Sequence, residues 1–513
     1  MRITAKEIEI ATEGKIVSGE ASAVALRVST DTRKDCEDAL FIPLSGTNFD
    51  GHDYIAQAFT KGARIALISR DPSALGTCAP ACGCGDSPAW TLIRVADTLA
   101  ALGKLAAWYR MKFNPLVVCV TGSVGKTTTK EMISLVLSQK YNVLKSQGNF
   151  NNEIGLPLTV FGLTEAHTAL VLEMGMSNPG EIARLSKIAR PDIAVITNIG
   201  LAHIERFGTK QNILKAKLEI MEGLSKNGTV FLNGDDTLLH GLMGLIDRQI
   251  VYYGIDEGLD VIGSDVLMKG GQGLEFEFQW LGRAFGVELH AAGVHNVHNA
   301  LAAVAVGLQN DVPPEKIVGA LAEFRPVGMR MDIRTFGDVR VINDAYNANP
   351  QSMQAALDVL VGLEGEGRRI AVLGDMLELG ERAGEYHSEV GAYAAEKRVD
   401  LLVAVGVYAA DVTSGARSYV PDAAEASPAK AAEGGADRTE DPAEAAERIA
   451  DGTEGLANVT ESLAFADRES AAEYLLKVVR PADIVLIKGS RGMAMERVAE
   501  LIESGLAAEP VHA

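Results

Sequence analysis

Lys126 lies in the run Val120-Thr121-Gly122-Ser123-Val124-Gly125-Lys126-Thr127-Thr128-Thr129. An apolar, strand-like stretch precedes it at 116–120, and a helix-like stretch follows at 130–137. Strand, glycine loop, Lys-Thr and helix form the layout of a phosphate-binding loop. The glycines let backbone N–H groups close around phosphate oxygens, and the helix N-terminus adds a favourable dipole. Thr121, Gly122, Ser123, Val124, Gly125, Lys126, Thr127 and Thr128 are therefore expected to hold a nucleoside triphosphate. Lys126 would reach the β- and γ-phosphates, and Thr127 would offer a hydroxyl to Mg²⁺. The general pattern puts a glycine five residues before Gly125, where this chain has Val120.

Other side chains could share that chemistry. Glu173 ends the apolar run 169–172, and a carboxylate at a strand end beside a phosphate loop can hold Mg²⁺, a hard cation. Its alternative is a solvated strand end, and Gly175 favours the ligand. His203 follows the strand-like run 193–198 and so lies on the same rim, a position that favours a ligand over the packing or capping common for a lone histidine. Lys217 stands in Lys215-Ala216-Lys217-Leu218-Glu219, on an amphipathic helix that Thr209 could cap, and spacing alone makes it a surface lysine. Asn296 and Asn299 are three apart at a helix start, so they share a face and could bind a base or cap the helix. Asn343, Asp344, Asn347 and Asn349 crowd a strand-to-loop passage more densely than a turn needs.

The elements that must position these groups read as α/β. A chain of 513 residues should hold about three domains. Residues 1–112 read as a small α/β domain with strands at 40–44 and 63–68. Residues 113–325 alternate strands (116–120, 169–173, 193–198, 229–233) with helices, which implies a doubly wound parallel sheet. Ligands of such sheets sit beyond the strand carboxyl ends. The stretch from about 250 to 290 reads as an antiparallel appendage. Residues 326–513 form a second, Rossmann-like unit with strands at 339–343, 370–373, 401–405 and 484–487. It is broken at about 422–458 by Ala, Glu, Asp and Gly, a composition too poor in large apolar residues to bury a core and expected to be mobile.

Composition excludes several classes. A net charge of −20 argues against a broad nucleic-acid or anionic-membrane surface. No apolar run approaches the ~18 residues of a membrane span, and the first residues lack a signal-peptide core. A soluble, cytoplasmic protein is expected. Five cysteines suit reduced thiols. Cys78, Cys82 and Cys84 cluster without a near fourth ligand, so a loop of free thiols is favoured over a metal site.

Together these residues resemble the Mur ligase family, ATP-dependent amide-forming enzymes of peptidoglycan precursor synthesis. The resemblance runs over nearly the whole chain, apart from the cysteine loop and the 422–458 stretch. The family's own short loop form accounts for Val120. Within the family, three motifs are nearest to the member that adds a dipeptide: Gln147-Gly148-Asn149-Phe150-Asn151-Asn152-Glu153-Ile154-Gly155, Asp344-Ala345-Tyr346-Asn347-Ala348-Asn349-Pro350 and Leu373-Gly374-Asp375-Met376-Leu377-Glu378-Leu379-Gly380. The D-N-P-R motif of the sister that adds a diamino acid is absent.

The resemblance implies ATP and two Mg²⁺ ions. Thr127 and Glu173 would ligate the nucleotide's Mg²⁺. His203 and a carbamylated Lys217 would ligate the second, with Lys126, His203 and Lys217 as the catalytic set. Asn299, Arg330 and Asp344 would contact adenine, phosphate or ribose. Ser29, Thr30, Asp31, Arg33, Gly46 and Thr47 would hold a UDP-sugar in the first domain. Asn149, Asn151, Asn152, Asn347 and Asn349 would meet the remaining substrate. Lys488-Gly489-Ser490-Arg491 is a family signature to which no role attaches from sequence. The implied substrates are UDP-N-acetylmuramoyl-tripeptide and D-alanyl-D-alanine, with no nucleic acid, on a monomer. A sister ligase using another amine, and a nucleotide-controlled switch without amide product, are the competing readings.

Overall fold

Three main sheets follow one another along the chain. The computed structural model describes residues 1–46, 49–71, 90–270, 273–420 and 460–508. Thr47, the Cys78–Cys84 cluster and the 422–458 stretch lie outside the described residues.

The first sheet runs in the order Lys15–Ser18, Thr91–Arg94, Ile65–Ile68, Ala39–Phe41, Arg27–Ser29. All neighbours are parallel except the Lys15–Ser18 edge. The helix Thr98–Arg110 ties this unit to the next. Ala101, Leu102, Leu105, Ala106 and Tyr109 make a buried stripe at helical spacing. That helix packs on Glu181–Ala189 and Gly155–Val160. Tyr109 donates its hydroxyl to the Leu163 carbonyl at 2.9 Å, and Arg110 Nε donates to the Ala189 carbonyl at 3.0 Å.

The central sheet has nine strands. Leu116–Thr121 lies inside it, between Ile193–Ile196 and Ala169–Glu173, and is parallel to both. Its apolar run follows from burial on both faces, where no alternation is needed. Register places Glu173 opposite Val120 and Ile196 opposite Thr121, so their carboxyl ends share one rim. The helix Lys126–Leu137 covers one face against His295–Gln309. The reading of 250–290 as an appendage is corrected in part. Gln249–Gly254 continues the parallel sheet beside Thr229–Asn233, and Val261–Met268 pairs with it in parallel. Only Leu274–Trp280 and Arg283–Leu289 add antiparallel strands.

The third sheet runs Asp332–Phe336, Val339–Asp344, Ile484–Lys488, Arg369–Gly374, Leu401–Val405, Glu461–Phe465. The first pair is antiparallel and the rest are parallel. The two edge strands were not expected. Both are short and half exposed, so they lack the continuous apolar signal of their buried neighbours. Among the described residues no helix is long and apolar enough to cross a membrane.

Two histidines make the fold sensitive to acid. Burial pushes His295 down to about 4 and also lowers His387. Both are neutral when folded, whereas an unfolded histidine takes up a proton near 6.5. The folded chain thus binds fewer protons, and this contribution is complete above about 6.5 and is lost as pH falls toward 4. The urea midpoint should drop between pH 7.5 and pH 4.5. In His387→Gln, whose amide can keep both hydrogen bonds, that drop should shrink; an equal drop would show that this side chain does not carry the effect.

Candidate active site

The phosphate loop is braced by the neighbouring strand end. Asn198 accepts from Ser123 N–H through its carbonyl (3.0 Å) and from Val124 N–H through Oδ1 (2.9 Å). Thr197 Oγ1 donates to the Val124 carbonyl at 2.6 Å, and Gly200 N–H donates to Ser123 Oγ at 2.8 Å. The amides of Ser123 and Val124 therefore shape the loop and are not free for phosphate. Thr121 likewise donates its hydroxyl to the Met174 carbonyl at 2.9 Å. Gly125 has φ +84° and begins the Lys126–Leu137 helix with no capping side chain, so the first-turn N–H groups of Lys126, Thr127 and Thr128 are open to an anion. Glycine is required at two points by close approach. A Cβ on Gly122 would lie 1.8 Å from Thr197 Oγ1, and one on Gly125 would lie 2.5 Å from Asn299 Oδ1. Lys126 Nζ turns back to the carbonyls of Gly122 (2.8 Å) and Ser123 (3.3 Å).

Glu173 is 2% exposed, which removes the solvated alternative. Its Oε2 accepts from Thr127 Oγ1 and its Oε1 from Asn151 Nδ2, both at 2.8 Å. Its own N–H donates to Ser146 Oγ at 3.2 Å. Gly175 lets Asn151 approach, since a Cβ there would lie 3.1 Å from the Asn151 side chain. Asn151 thus touches the phosphate end of the site.

Lys217 overturns the surface reading. It is 2% exposed, and no hydrogen bond or ion pair reaches its amine among the described residues. Thr209 caps its helix as expected, accepting from Asn212 N–H at 3.2 Å. Ile213, Ala216 and Lys217 form the buried face, and Ile220 continues it. The sequence signal was there: Lys217 is four residues after Ile213 and three before Ile220, on the apolar stripe. Burial and the nearby charge of Lys126 push its amine well below the usual lysine range. Lys126 is itself lowered by burial, with Glu173 opposing and Arg330 reinforcing. His203 is lowered by burial against the pull of Glu378, with smaller contributions from Lys126 and Lys217. Lys126 thus feels the charges of Glu173 and Arg330, and its own charge is felt at both His203 and Lys217.

Three family models match in order along the chain: "Mur ligase family, catalytic domain" at 27–110, "Mur ligase middle domain" at 120–307 and "Mur ligase, glutamate ligase domain" at 329–491. A UDP-N-acetylmuramoyl-tripeptide–D-alanyl-D-alanine ligase of Bacillus subtilis is 37% identical over 98% of this chain and 99% of its own length. The chain belongs to the Mur ligase family. The Escherichia coli ligase of the same name is 35% identical over 79% of this chain and 88% of its own length. The MurF crystal structure from Acinetobacter baumannii superposes with a TM-score of 0.82 at 30% identity, covering 98% of this chain and 99% of that one. MurF from Thermotoga maritima, solved in complex with ADP, gives 0.73 at 29% identity over 94% and 97%. The fold is the three-domain α/β arrangement of these ligases.

Other expected residues divide in two. Arg330 stacks its guanidinium 3.9 Å over Tyr346, and its charge is felt at Lys126. Asp344 is buried, accepts from Met331 N–H at 3.1 Å and pairs with Lys488. Lys488 also donates to the Asn347 carbonyl at 3.1 Å, so this signature lysine ties Asp344 to the Asp-Ala-Tyr-Asn loop. Asn299 is buried between helices, accepting from Thr129 at 2.9 Å and donating to Asn296 at 3.0 Å. Asn149 and Asn347 are exposed.

Asn349 and Asn152 also serve local structure through their Oδ1 atoms. Asn349 caps the helix Pro350–Gly362 through a reciprocal box with Ser352. Asn152 Oδ1 accepts from Gly155 N–H at 2.8 Å and Ile154 N–H at 3.1 Å, which starts the next helix. Their polar atoms form local structure, as short amides next to helix starts commonly do. The Ser29–Arg33 segment turns on itself at a strand end. Ser29 Oγ bonds the Asp31 backbone, and Asp31 binds Arg33, whose guanidinium holds that carboxyl at about 2. Gly46 N–H donates to the Phe49 carbonyl at 2.9 Å. No hydrogen bond or ion pair joins this segment to the phosphate loop among the described residues. Sequence reasoning missed Thr197, Ser146 and Glu378, which act only through the neighbours that folding gives them.

Proposed function

We propose that this chain joins D-alanyl-D-alanine to the terminal carboxylate of UDP-N-acetylmuramoyl-tripeptide, consuming ATP and releasing ADP and phosphate. The observation that carries the reading is Lys217: a buried lysine whose amine has no hydrogen-bond or ion-pair partner among the described residues and which feels the charge of the phosphate-loop lysine. A nucleotide switch has no use for such an amine. An amide ligase does, because its neutral form can take up CO₂ and become an oxygen ligand.

The residues suit Mg²⁺. No group of three or more His, Cys, Asp or Glu side chains forms a cage among the described residues. Mg²⁺ seldom uses one; it takes one or two protein oxygens together with substrate phosphates and water. Thr127 and Glu173 would hold one ion, and His203 with carbamylated Lys217 the second. Bound there, Mg²⁺ would neutralise charge between two anions. Lys126 would stabilise the γ-phosphoryl group as the tripeptide carboxylate attacks it. The resulting acyl phosphate is then attacked by the dipeptide amine, and phosphate leaves. Arg330 and the Asp344–Lys488 pair would bring the third domain over the nucleotide and keep water from the acyl phosphate. Domain boundaries near 112/113 and 325/326, a monomeric state and a cytoplasmic location belong to the same proposal.

The test is phosphate release from ATP with UDP-N-acetylmuramoyl-tripeptide, with and without D-alanyl-D-alanine, and with a panel of single amino acids. Release that needs both proposed substrates and yields the pentapeptide supports the reading. Release dependent on a different amine would move the chain to a sister ligase, and release indifferent to both substrates would reject a ligase.

A further inference from the structure

The run Asp375-Met376-Leu377-Glu378 follows the strand Arg369–Gly374 and has no part in the function proposed above. It is anchored on every side except at Glu378. The buried Asp375 carboxylate accepts from Val407 N–H (2.8 Å) and Tyr408 N–H (3.1 Å). His387 Nε2 accepts from Met376 N–H at 2.8 Å, its Nδ1 donates to the Ala383 carbonyl at 2.7 Å, and its ring stacks on Tyr408. Leu377 N–H donates to Ser490 Oγ at 2.9 Å. Glu378, at a left-handed φ of +62°, projects from this frame toward the central domain. Its carboxylate meets Nδ1 of His203, and its carbonyl accepts from Glu205 N–H at 3.2 Å. His203 is also left-handed, at φ +62°. The two segments wall a cavity of about 1250 Å³ that includes Leu201, Glu205, Lys210, Met376 and Arg382.

We propose that Glu378 is a positioning residue that fixes the tautomer of His203 across the domain boundary. A neutral imidazole carries one N–H, and the acceptor beside it decides which nitrogen that is. Glu378 takes the Nδ1–H, which leaves Nε2 as the nitrogen with a lone pair for a ligand. The carboxylate comes from the third domain, so His203 is prepared only when that domain is docked. The purpose of this arrangement rests on the reading of His203 as a metal ligand, but the tautomer can be measured apart from it.

The experiment uses the full chain without metal or nucleotide, labelled with ¹⁵N-histidine. One of nine histidine signals is assigned by its loss in His203→Asn. The wild type should show Nδ1–H. Glu378→Gln, whose amide oxygen still accepts, should keep it. Glu378→Ala should shift the ring toward Nε2–H and enlarge the radius of gyration in solution scattering. In turnover, Glu378→Ala should raise the Mg²⁺ concentration for half-maximal rate by about 10- to 100-fold, the usual cost of losing a carboxylate behind a ligating histidine. An unchanged Nδ1–H signal in Glu378→Ala would overturn the proposal. A shift to Nε2–H in Glu378→Ala, together with a wild type that makes no amide, would instead sustain it and reject the ligase reading.

Discussion

Replacing Lys217 by alanine should lower amide formation by on the order of 10³-fold or more, the effect of losing a metal-held charge worth several kcal/mol in the transition state. Burial sets the chemistry of this side chain. An ammonium in a buried position without a counter-charge is costly, which favours the neutral amine. A neutral amine is nucleophilic toward CO₂: a nitrogen–carbon bond forms, one proton leaves, and a carbamate replaces the amine. The product is an anion in the same enclosed place, stable there only with a cation beside it. Lys126 and Mg²⁺ would supply that charge. Added short carboxylates should restore part of the activity of Lys217→Ala by standing in for the carbamate oxygens. ¹³CO₂ should label wild type and not the variant, and melting curves should confirm that both are folded. An alanine variant with full activity would refute the assignment.

The same lysine shows where sequence reading ends. Leu116–Thr121 and its parallel neighbours were legible because a strand buried on both faces must be apolar throughout. The phosphate loop was legible because its chemistry is local: two glycines, a lysine and a threonine within six residues. Lys217 was not, because its meaning lies in what surrounds it. Its place on the stripe from Ile213 to Ile220 marks a buried face, but nothing in that spacing says that Lys126 lies near the amine and that no counter-charge does. Asn349 was half legible, since an amide before Pro350 reads equally as ligand or cap, and the reciprocal box with Ser352 shows the cap. The edge strands Asp332–Phe336 and Glu461–Phe465 carry too little apolar pattern to stand out. Glu378 is 175 residues from His203 along the chain, and only the docking of two domains brings them together.

Lys126→Met should reduce phosphoryl transfer by about 10²- to 10³-fold, the common cost of removing one preorganised donor from a transition state. In this structure the ammonium rests on the carbonyls of Gly122 and Ser123. It must leave both when a triphosphate enters, exchanging two neutral acceptors for an anion. Charge-assisted hydrogen bonds are roughly twice as strong as neutral ones, so the exchange favours the bound state. Burial also lowers this lysine when no anion is present, and a bound phosphate would oppose that shift. The largest loss should therefore appear at the γ-phosphate, with ADP affinity changed less than the single-turnover rate of phosphate release from ATP. Arginine should not rescue. Its planar fork is bulkier than an ammonium, and the loop is packed so tightly that a methyl group at Gly122 would strike Thr197. A Lys126→Met enzyme with a normal single-turnover rate but weakened ADP binding would reduce this lysine to a ground-state contact and transfer the work at the γ-phosphate to Arg330 and the metal ions.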